Sequence, residues 1–539
     1  MGVKDGWNLL DSKLDSVSFV DWSSQKISTS MVHNLAPRIG VDASGWMFAA
    51  KYHHAQTKNP AQASLFKRIG RLFHLPVIPI FVFDGPGRPA NKRNKAVKKT
   101  PDWLAADFKR LLVGFGFPYC EAPGEAEAEL AMLSNVGHID AVMSEDFDTM
   151  VFGAQCVIRI KDESDSKYLI EVHEASQFSR NDLILIALLA GGDYDEGVPG
   201  CGIQTAAGIA RTGIGKQLFD ALEVSEIGHY HQAASMWRQD LCTMLDAKGV
   251  GRLYSRHRSL ASRIPSDFPK VSVLIQYLHP VTSTLENLPA PPLLGQPDLP
   301  RLSKLCEELF IWGHPMGIIE NFSHHIFPGL AIRELLQDLS KRRGLEQPHN
   351  SVAVISKVCT VRANQRARSD SEVFMSLVVP HAILTKITSV LHSMHENDTQ
   401  RKALTRFMKK REVRTWLSRV LALHAQPNLL DNGDQTHKPS KRRKYMKLPI
   451  ASSSTSTVAS QAGDARAFSV LEISSDESGT EMKGGALSNN SRTVLTTPCL
   501  ETTSRKRQKY VASPKYRLDV RHAASGEIFE LCTDDEGEI

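Results

Sequence analysis

Seven acidic residues, Asp42, Asp84, Glu125, Glu127, Asp146, Asp148 and Asp193, stand where strands and helices are expected to end or begin. Asp42 closes the short apolar run Arg38-Ile39-Gly40-Val41, and Asp84 closes Val77-Ile78-Pro79-Ile80-Phe81-Val82-Phe83. Asp146 and Asp148 follow Ile139-Asp140-Ala141-Val142-Met143, a third strand pattern. Glu125 and Glu127 come after Pro123-Gly124, near the first turn of a helix; positions i and i+2 do not share a helix face, so they are expected to reach different metal positions. Asp193 follows the Gly191-Gly192 stop of an apolar helix. Carboxylates gathered in one cleft repel unless cations neutralise them. Oxygen ligands favour Mg²⁺ or Mn²⁺ over zinc. Two such ions a few Å apart can activate water and stabilise a leaving oxygen, which is phosphodiester hydrolysis. No Ser/His/Asp grouping competes with that chemistry. Taken singly, each acid has a structural reading: Asp84-Gly85-Pro86 is turn chemistry, and Glu125 and Glu127 suit a helix start. Four segments presenting acids at matching topological positions outweigh it.

Two further groups suit phosphate. Arg88, Lys92, Arg93, Lys95, Lys98 and Lys99 begin four residues after Asp84. Such a run is most often a solvated face, but its place beside a metal ligand favours a DNA-phosphate contact. Gly197-Val-Pro-Gly-Cys-Gly-Ile, with Gly200 and Gly202, reads as a glycine hairpin between two helices. Its backbone N–H groups and the following helix N-terminus favour phosphate, whereas alone it would read equally as a tight turn.

The elements that must position these residues alternate strand and helix over 1–205, which implies right-handed crossovers and an α/β domain with a parallel sheet. A helix is expected at 63–73, and another at 183–190 capped by Asn181 or Asp182. From about 206 to 340 the pattern turns helical, broken by a Pro-rich surface excursion from Leu288. Residues 350–425 suggest a small module with strands at 352–361 and 373–380 and a basic helix at 403–422. Beyond about 430 the Ser/Thr-rich, charge-blocked chain cannot bury a core and is expected to be disordered.

Composition sets outer bounds. A chain of 539 residues with 42% hydrophobic content is long enough for two to four domains. Its eight cysteines form no C-x-x-C pair, which argues against a disulfide framework or structural zinc and fits a reducing compartment. There is no apolar run long enough for a membrane span and no signal-peptide pattern, and Gly6 argues against myristoylation at Gly2. A net charge of +6 says little by itself.

At Met1-Gly-Val-Lys-Asp, Gly40-Val-Asp-Ala-Ser, Phe83-Asp-Gly, Ala122-Pro-Gly-Glu-Ala-Glu-Ala, Ser144-Glu-Asp-Phe-Asp and Gly192-Asp-Tyr the chain resembles the XPG-type, or flap-endonuclease-like, family of structure-specific nucleases. One departure is Gly6, where a Leu is usual. The resemblance implies a PIN-like core with a parallel or mixed twisted sheet and flanking helices. It divides the chain into an N-terminal nuclease region (1–120), an internal nuclease region (121–205), a helix-hairpin-helix and helical DNA-binding region (190–345), a chromodomain-like α+β module (350–425) and a regulatory tail (430–539). It also implies that all seven acids are catalytic metal ligands, direct or through water, for two Mg²⁺ ions with Mn²⁺ as a substitute. Gly2 would lie near the active site after loss of Met1, and the hairpin would hold a monovalent cation.

Asp84 and Glu125 stand 41 positions apart. That leaves room for a basic helix but not for the arch of flap endonucleases or the long insert of the excision-repair branch. The pattern resembles the Holliday-junction resolvase branch, so branched duplex DNA is the expected partner, with a monomer pairing into a dimer on a four-way junction to make symmetric nicks. The alternatives are a 5′-flap endonuclease or exonuclease and a noncatalytic junction-binding scaffold. In the tail, Lys438-Pro-Ser-Lys-Arg-Arg-Lys and Ser504-Arg-Lys-Arg-Gln-Lys point to the nucleus, flanked by phosphorylation candidates Thr497-Pro498 and Ser513-Pro514. Residues 470–473 and 528–531 resemble SUMO-interacting motifs, able to add a strand to a partner's sheet.

Overall fold

The computed structural model describes residues 2–434 except 11–13, 30–34, 53–57, 93–94, 98–101, 164–167, 175–177, 225, 227–228, 248–256, 346–352, 360–370 and 393–396. Apolar runs bounded by polar residues make the central strands: β1 (Leu14–Ser18), β2 (Arg38–Asp42), β3 (Ile78–Phe83), the short β4 (Asn91–Lys92) and β5 (Lys95–Ala96), then β6 (Tyr119–Glu121), β7 (Ala141–Met143), β8 (Cys156–Glu163) and β9 (Tyr168–Glu174). Seven of them form one sheet in the order β1-β9-β8-β7-β2-β3-β6. Its centre is parallel, from β6 through β3, β2 and β7 to β8, and β9 and β1 add an antiparallel edge. The sheet is thus mixed, within the parallel or mixed sheet that the family resemblance implies.

Alternating side chains pack on both faces, as a parallel sheet requires. Ile39, Val41, Phe81, Phe83, Ala141 and Met143 enter one core, which extends to the helices Pro60–Phe73, Leu299–Leu309 and Phe327–Arg343. Ile80, Val82, Val142 and Val157 enter the other, against the helices Arg180–Ala190 and Ile203–Ala210. The 183–190 helix is found, but its N-cap is Ser179 rather than Asn181 or Asp182. Asp182 instead closes a capping box with Ser179, because the helix starts one turn earlier than the apolar pattern.

Three local expectations are corrected. Between Asp84 and Glu125 a hairpin of β4 and β5 replaces the basic helix, and the helix that follows, Ala105–Phe115, begins past the basic run. Pro89 and Asn91 disfavour helix there. The Pro-rich segment after Leu278 is seated on the α/β core: Leu294 is buried, and Pro289 O bonds to the His138 ring at 2.8 Å. Finally, 403–422 is not one helix. The helix Asp398–Lys410 ends at Arg411, whose φ is 53°, and β12 (Glu412–Ser418) follows, since Val413, Thr415 and Trp416 favour a strand. With β10 (Ile355–Val358) and β11 (Glu372–Val378) it forms a three-stranded antiparallel sheet. The buried Glu334 carboxylate accepts the N–H groups of Val354 at 2.7 Å and Ile355 at 3.0 Å, tying that sheet to the long helix. The first residues assigned to the tail form the helix Pro427–Asp434; the basic clusters, phosphorylation candidates and SUMO-type motifs lie outside the described residues.

Candidate metal centre and nucleic-acid interface

Strand register brings the acids level. Asp42 pairs with Val82, Val41 with Met143 and Phe83 with Glu121, so the central strands end together and their following residues meet at one edge. Open α/β sheets bind ligands at that edge. Six of the seven acids are buried, and Asp84 is partly exposed.

Backbone and hydroxyl donors aim each carboxylate. Asp42 caps the helix Ala43–Lys51, accepting the N–H of Ser44 at 2.8 Å and of Gly45 at 3.3 Å. Ser44 Oγ donates to Asp84 Oδ2 (2.8 Å), and Ala126 N–H donates to Asp84 Oδ1 (3.0 Å). Ser144 Oγ reaches Asp42 Oδ2 at 3.3 Å. Asp146 accepts the N–H of Asp148 at 3.0 Å, and Val3 N–H donates to Asp148 Oδ1 at the same distance. Gly2 N donates to Asp193 Oδ1 at 3.1 Å, and the Tyr194 hydroxyl donates to Glu125. Gly2 sits so close that a Cβ there would lie 2.4 Å from the Asp146 and Asp148 carboxylates. Ser44, Ser144 and Tyr194 fall inside the recognised sequence motifs, but only the structure gives them these partners.

Electrostatics follow from burial. The Asp42 carboxyl is pushed up to about 7, by desolvation first and the neighbouring Asp84 charge second. Burial likewise raises Glu125, Glu127, Asp146 and Asp148, with added repulsion among the acids. Asp148 Oδ2 is buried without a hydrogen-bond partner. A donor set made only of carboxylate oxygen, with one buried oxygen unused, fits a hard divalent cation. Among the described residues, however, no three acidic, His or Cys side chains are yet disposed to hold one ion in common.

A lysine stands among them. Lys92 on β4 pairs with Glu125, with Glu127 at 3.0 Å and with Asp193 at 3.4 Å. Burial works against its ammonium, but Glu127, Glu125 and Asp193 outweigh it and hold its pKa above the usual lysine value. Arg88 lies 3.5 Å from Asp84. Of the other basic candidates, Lys95 is exposed on β5, and Arg93 and Lys98 lie outside the described residues. In the glycine hairpin, Gly200 has a φ of 80° and faces the Arg263 guanidinium, while Gly202 is exposed and caps the helix Ile203–Ala210.

A mixed sheet whose parallel strands end level with the carboxylates is followed by a glycine hairpin between helices. Residues 116–193 match the family model of the XPG I-region. Mouse DNA excision repair protein ERCC-5 is 30% identical over 232 residues, 40% of this chain and 19% of that protein. Over these stretches the chain is similar to members of the XPG-type, flap-endonuclease-like family. Among solved structures, a eukaryotic junction-resolving enzyme GEN-1 with cesium matches with a TM-score of 0.61 and 26% identity, over 80% of this chain and 99% of that one. The Holliday junction-resolving enzyme GEN1 in complex with product DNA and Mg²⁺ matches with a TM-score of 0.57 and 27% identity, over 78% and 96%. The chain spans less than two thirds of the length of such curated relatives as the mouse protein and single-strand DNA endonuclease 1 of Oryza sativa subsp. japonica, 19% and 55% respectively.

Proposed function

We propose that this chain is a divalent-metal-dependent endonuclease that cuts branched DNA, four-way junctions in particular, by paired nicks. The carrying observation is the convergence of Asp42, Asp84, Glu125, Glu127, Asp146, Asp148 and Asp193 at the edge where the parallel strands end. These seven would hold two Mg²⁺ ions, with Mn²⁺ able to replace them. When bound, the ions supply activated water and a stabilised leaving oxygen.

The remaining work falls to this chain's own groups. The N–H groups of Ser44, Ala126 and Val3 and the hydroxyls of Ser44 and Ser144 fix the carboxylate orientations in advance. Arg88 and Lys92, beside the acids, face the scissile phosphate, and Lys95 adds to that contact, with Arg93 and Lys98 next to it in sequence supplying further charge. The hairpin at Gly200 and Gly202 takes the duplex backbone and a monovalent cation. Gly2 admits the close approach of the N-terminal segment to Asp146 and Asp148.

Junction preference rests on the segment between Asp84 and Glu125, whose described residues form a two-residue-per-strand hairpin and one helix. Two copies would pair on a junction, and the protein would act in the nucleus, with SUMO or a sumoylated partner meeting residues 470–473 or 528–531. One gel separates the readings: the products from a static four-way junction and from a 5′ flap, with Asp42→Asn alongside. Symmetric, ligatable nicks lost in the variant are expected. Release of a short 5′ strand alone would favour a flap enzyme, and cleavage surviving in the variant would overturn the metal assignment.

A further inference from the structure

Resting on the reading of the acid cluster as a metal centre, we propose that Lys92 is an internal counter-ion that excludes metal from the Glu125–Glu127–Asp193 side of the site until DNA draws it out. Metal loading is thereby coupled to substrate binding. Three carboxylates from two separate segments meet the one ammonium, and these oxygens are among those a divalent ion would need. Two cations cannot share them at such separations without strong repulsion.

The lysine is mounted to leave. It comes from a hairpin of two residues per strand, a size with little stability of its own. Asn91, Lys95 and Ala96 are exposed, and among the hairpin's described residues Lys92 is the one that turns toward the acids. Arg88 and Lys95 flank it, so a phosphate bound along this run offers the ammonium a second anionic partner outside the cluster. DNA then weakens the lysine's hold on the carboxylates and strengthens that of the metal, and by linkage metal strengthens DNA binding by the same factor.

The test is Mn²⁺ binding followed by electron paramagnetic resonance on the full chain, with and without a nicked duplex, for wild type, Lys92→Met and Lys92→Arg. Wild type is expected to bind Mn²⁺ at least about tenfold more tightly with DNA than without. Without DNA, Lys92→Met is expected to bind at least about tenfold more tightly than wild type and to gain much less from DNA, while Lys92→Arg stays close to wild type. A wild-type affinity unchanged by DNA overturns the proposal whether or not the methionine variant folds. So does a folded Lys92→Met that binds Mn²⁺ no better than wild type. If wild type binds no Mn²⁺ under either condition, the metal-centre reading itself fails and the proposal falls with it.

Discussion

Replacing Gly85 with Ala should separate the two acidic segments that the sheet brings together. Gly85 follows Asp84 directly, and its N–H donates to Gly124 O at 2.7 Å while Gly87 N–H donates to Pro123 O at 2.9 Å. A Cβ on Gly85 would lie 1.6 Å from Ala122 O, 2.8 Å from Ala122 C and 2.9 Å from Pro123 O. Ordinary contact begins near 3.4 Å, so backbone must part from backbone by about 1.8 Å. No side chain can rotate to absorb it. The Ala126 N–H to Asp84 bond, at 3.0 Å, lies across the same gap and would break. Overpacking of this kind costs about 1–3 kcal/mol, and each weakened hydrogen bond adds about 1 kcal/mol. A displacement near 1 Å at a reacting centre costs roughly a hundredfold in rate. Gly85→Ala is therefore expected to melt several degrees lower yet remain folded, and to cut a static junction at least about a hundredfold more slowly in single turnover. A folded variant cleaving within about threefold of wild type would refute the claim that this glycine sets the distance between Asp84 and Glu125.

Other expectations follow from the same geometry. Asp42 keeps its proton in the fold up to about 7 but only to 3.8 when unfolded, so its contribution is fully present below 3.8 and lost as pH rises through 7. Thermal melts in a chelator should show stability falling across that window, by roughly 4 kcal/mol if Asp42 acted alone, and Mg²⁺ should flatten the fall. Asp148→Asn removes a buried charge whose carboxyl is already driven toward neutrality; the metal-free protein should melt higher, while cleavage drops at least about a hundredfold. Glu334→Ala leaves the Val354 and Ile355 N–H groups without their acceptor, and a loss of about 2–4 kcal/mol with faster amide exchange along β10 is expected from melting and hydrogen exchange.

What could be read from the chain alone followed burial. β2, β3 and β7 are apolar on both faces, so their runs are continuous and their C-terminal acids stand out. β8 and β9 carry Arg159, Lys161, Asp162, Glu171 and His173, and β1 is short and polar; each is an edge or near-edge strand defined by its pairing, which local pattern does not encode. The 403–422 stretch reads as helix because Arg and Lys are good helix formers, whereas the strand is settled by β11 beside it. At the site, the acids at the strand ends are legible in the sequence, but their aiming is not. Ser44 to Asp84 and Val3 to Asp148 are contacts across 40 and 145 residues. Lys92 shows the same gap from the other side: its residue type pointed to DNA, and only the fold seats it among Glu125, Glu127 and Asp193.

That seat exposes how the centre balances stability against function. Among the described residues, seven carboxylates meet the side-chain cations of Lys92 and Arg88, and the N–H groups that aim them carry only partial charge. A chain selected for stability alone would fill this edge with apolar side chains or protonatable pairs. Here the negative excess is left in place and buried, and raised carboxyl pKa values are its measure. Whatever free energy the metal-free fold forgoes by crowding these charges is returned when cations bind, so strain in the empty site and affinity for metal are the same quantity seen from two states. On this reading Lys92 is set against both: it relieves the crowding when DNA is absent, and for that reason it must move before the site can be fully loaded.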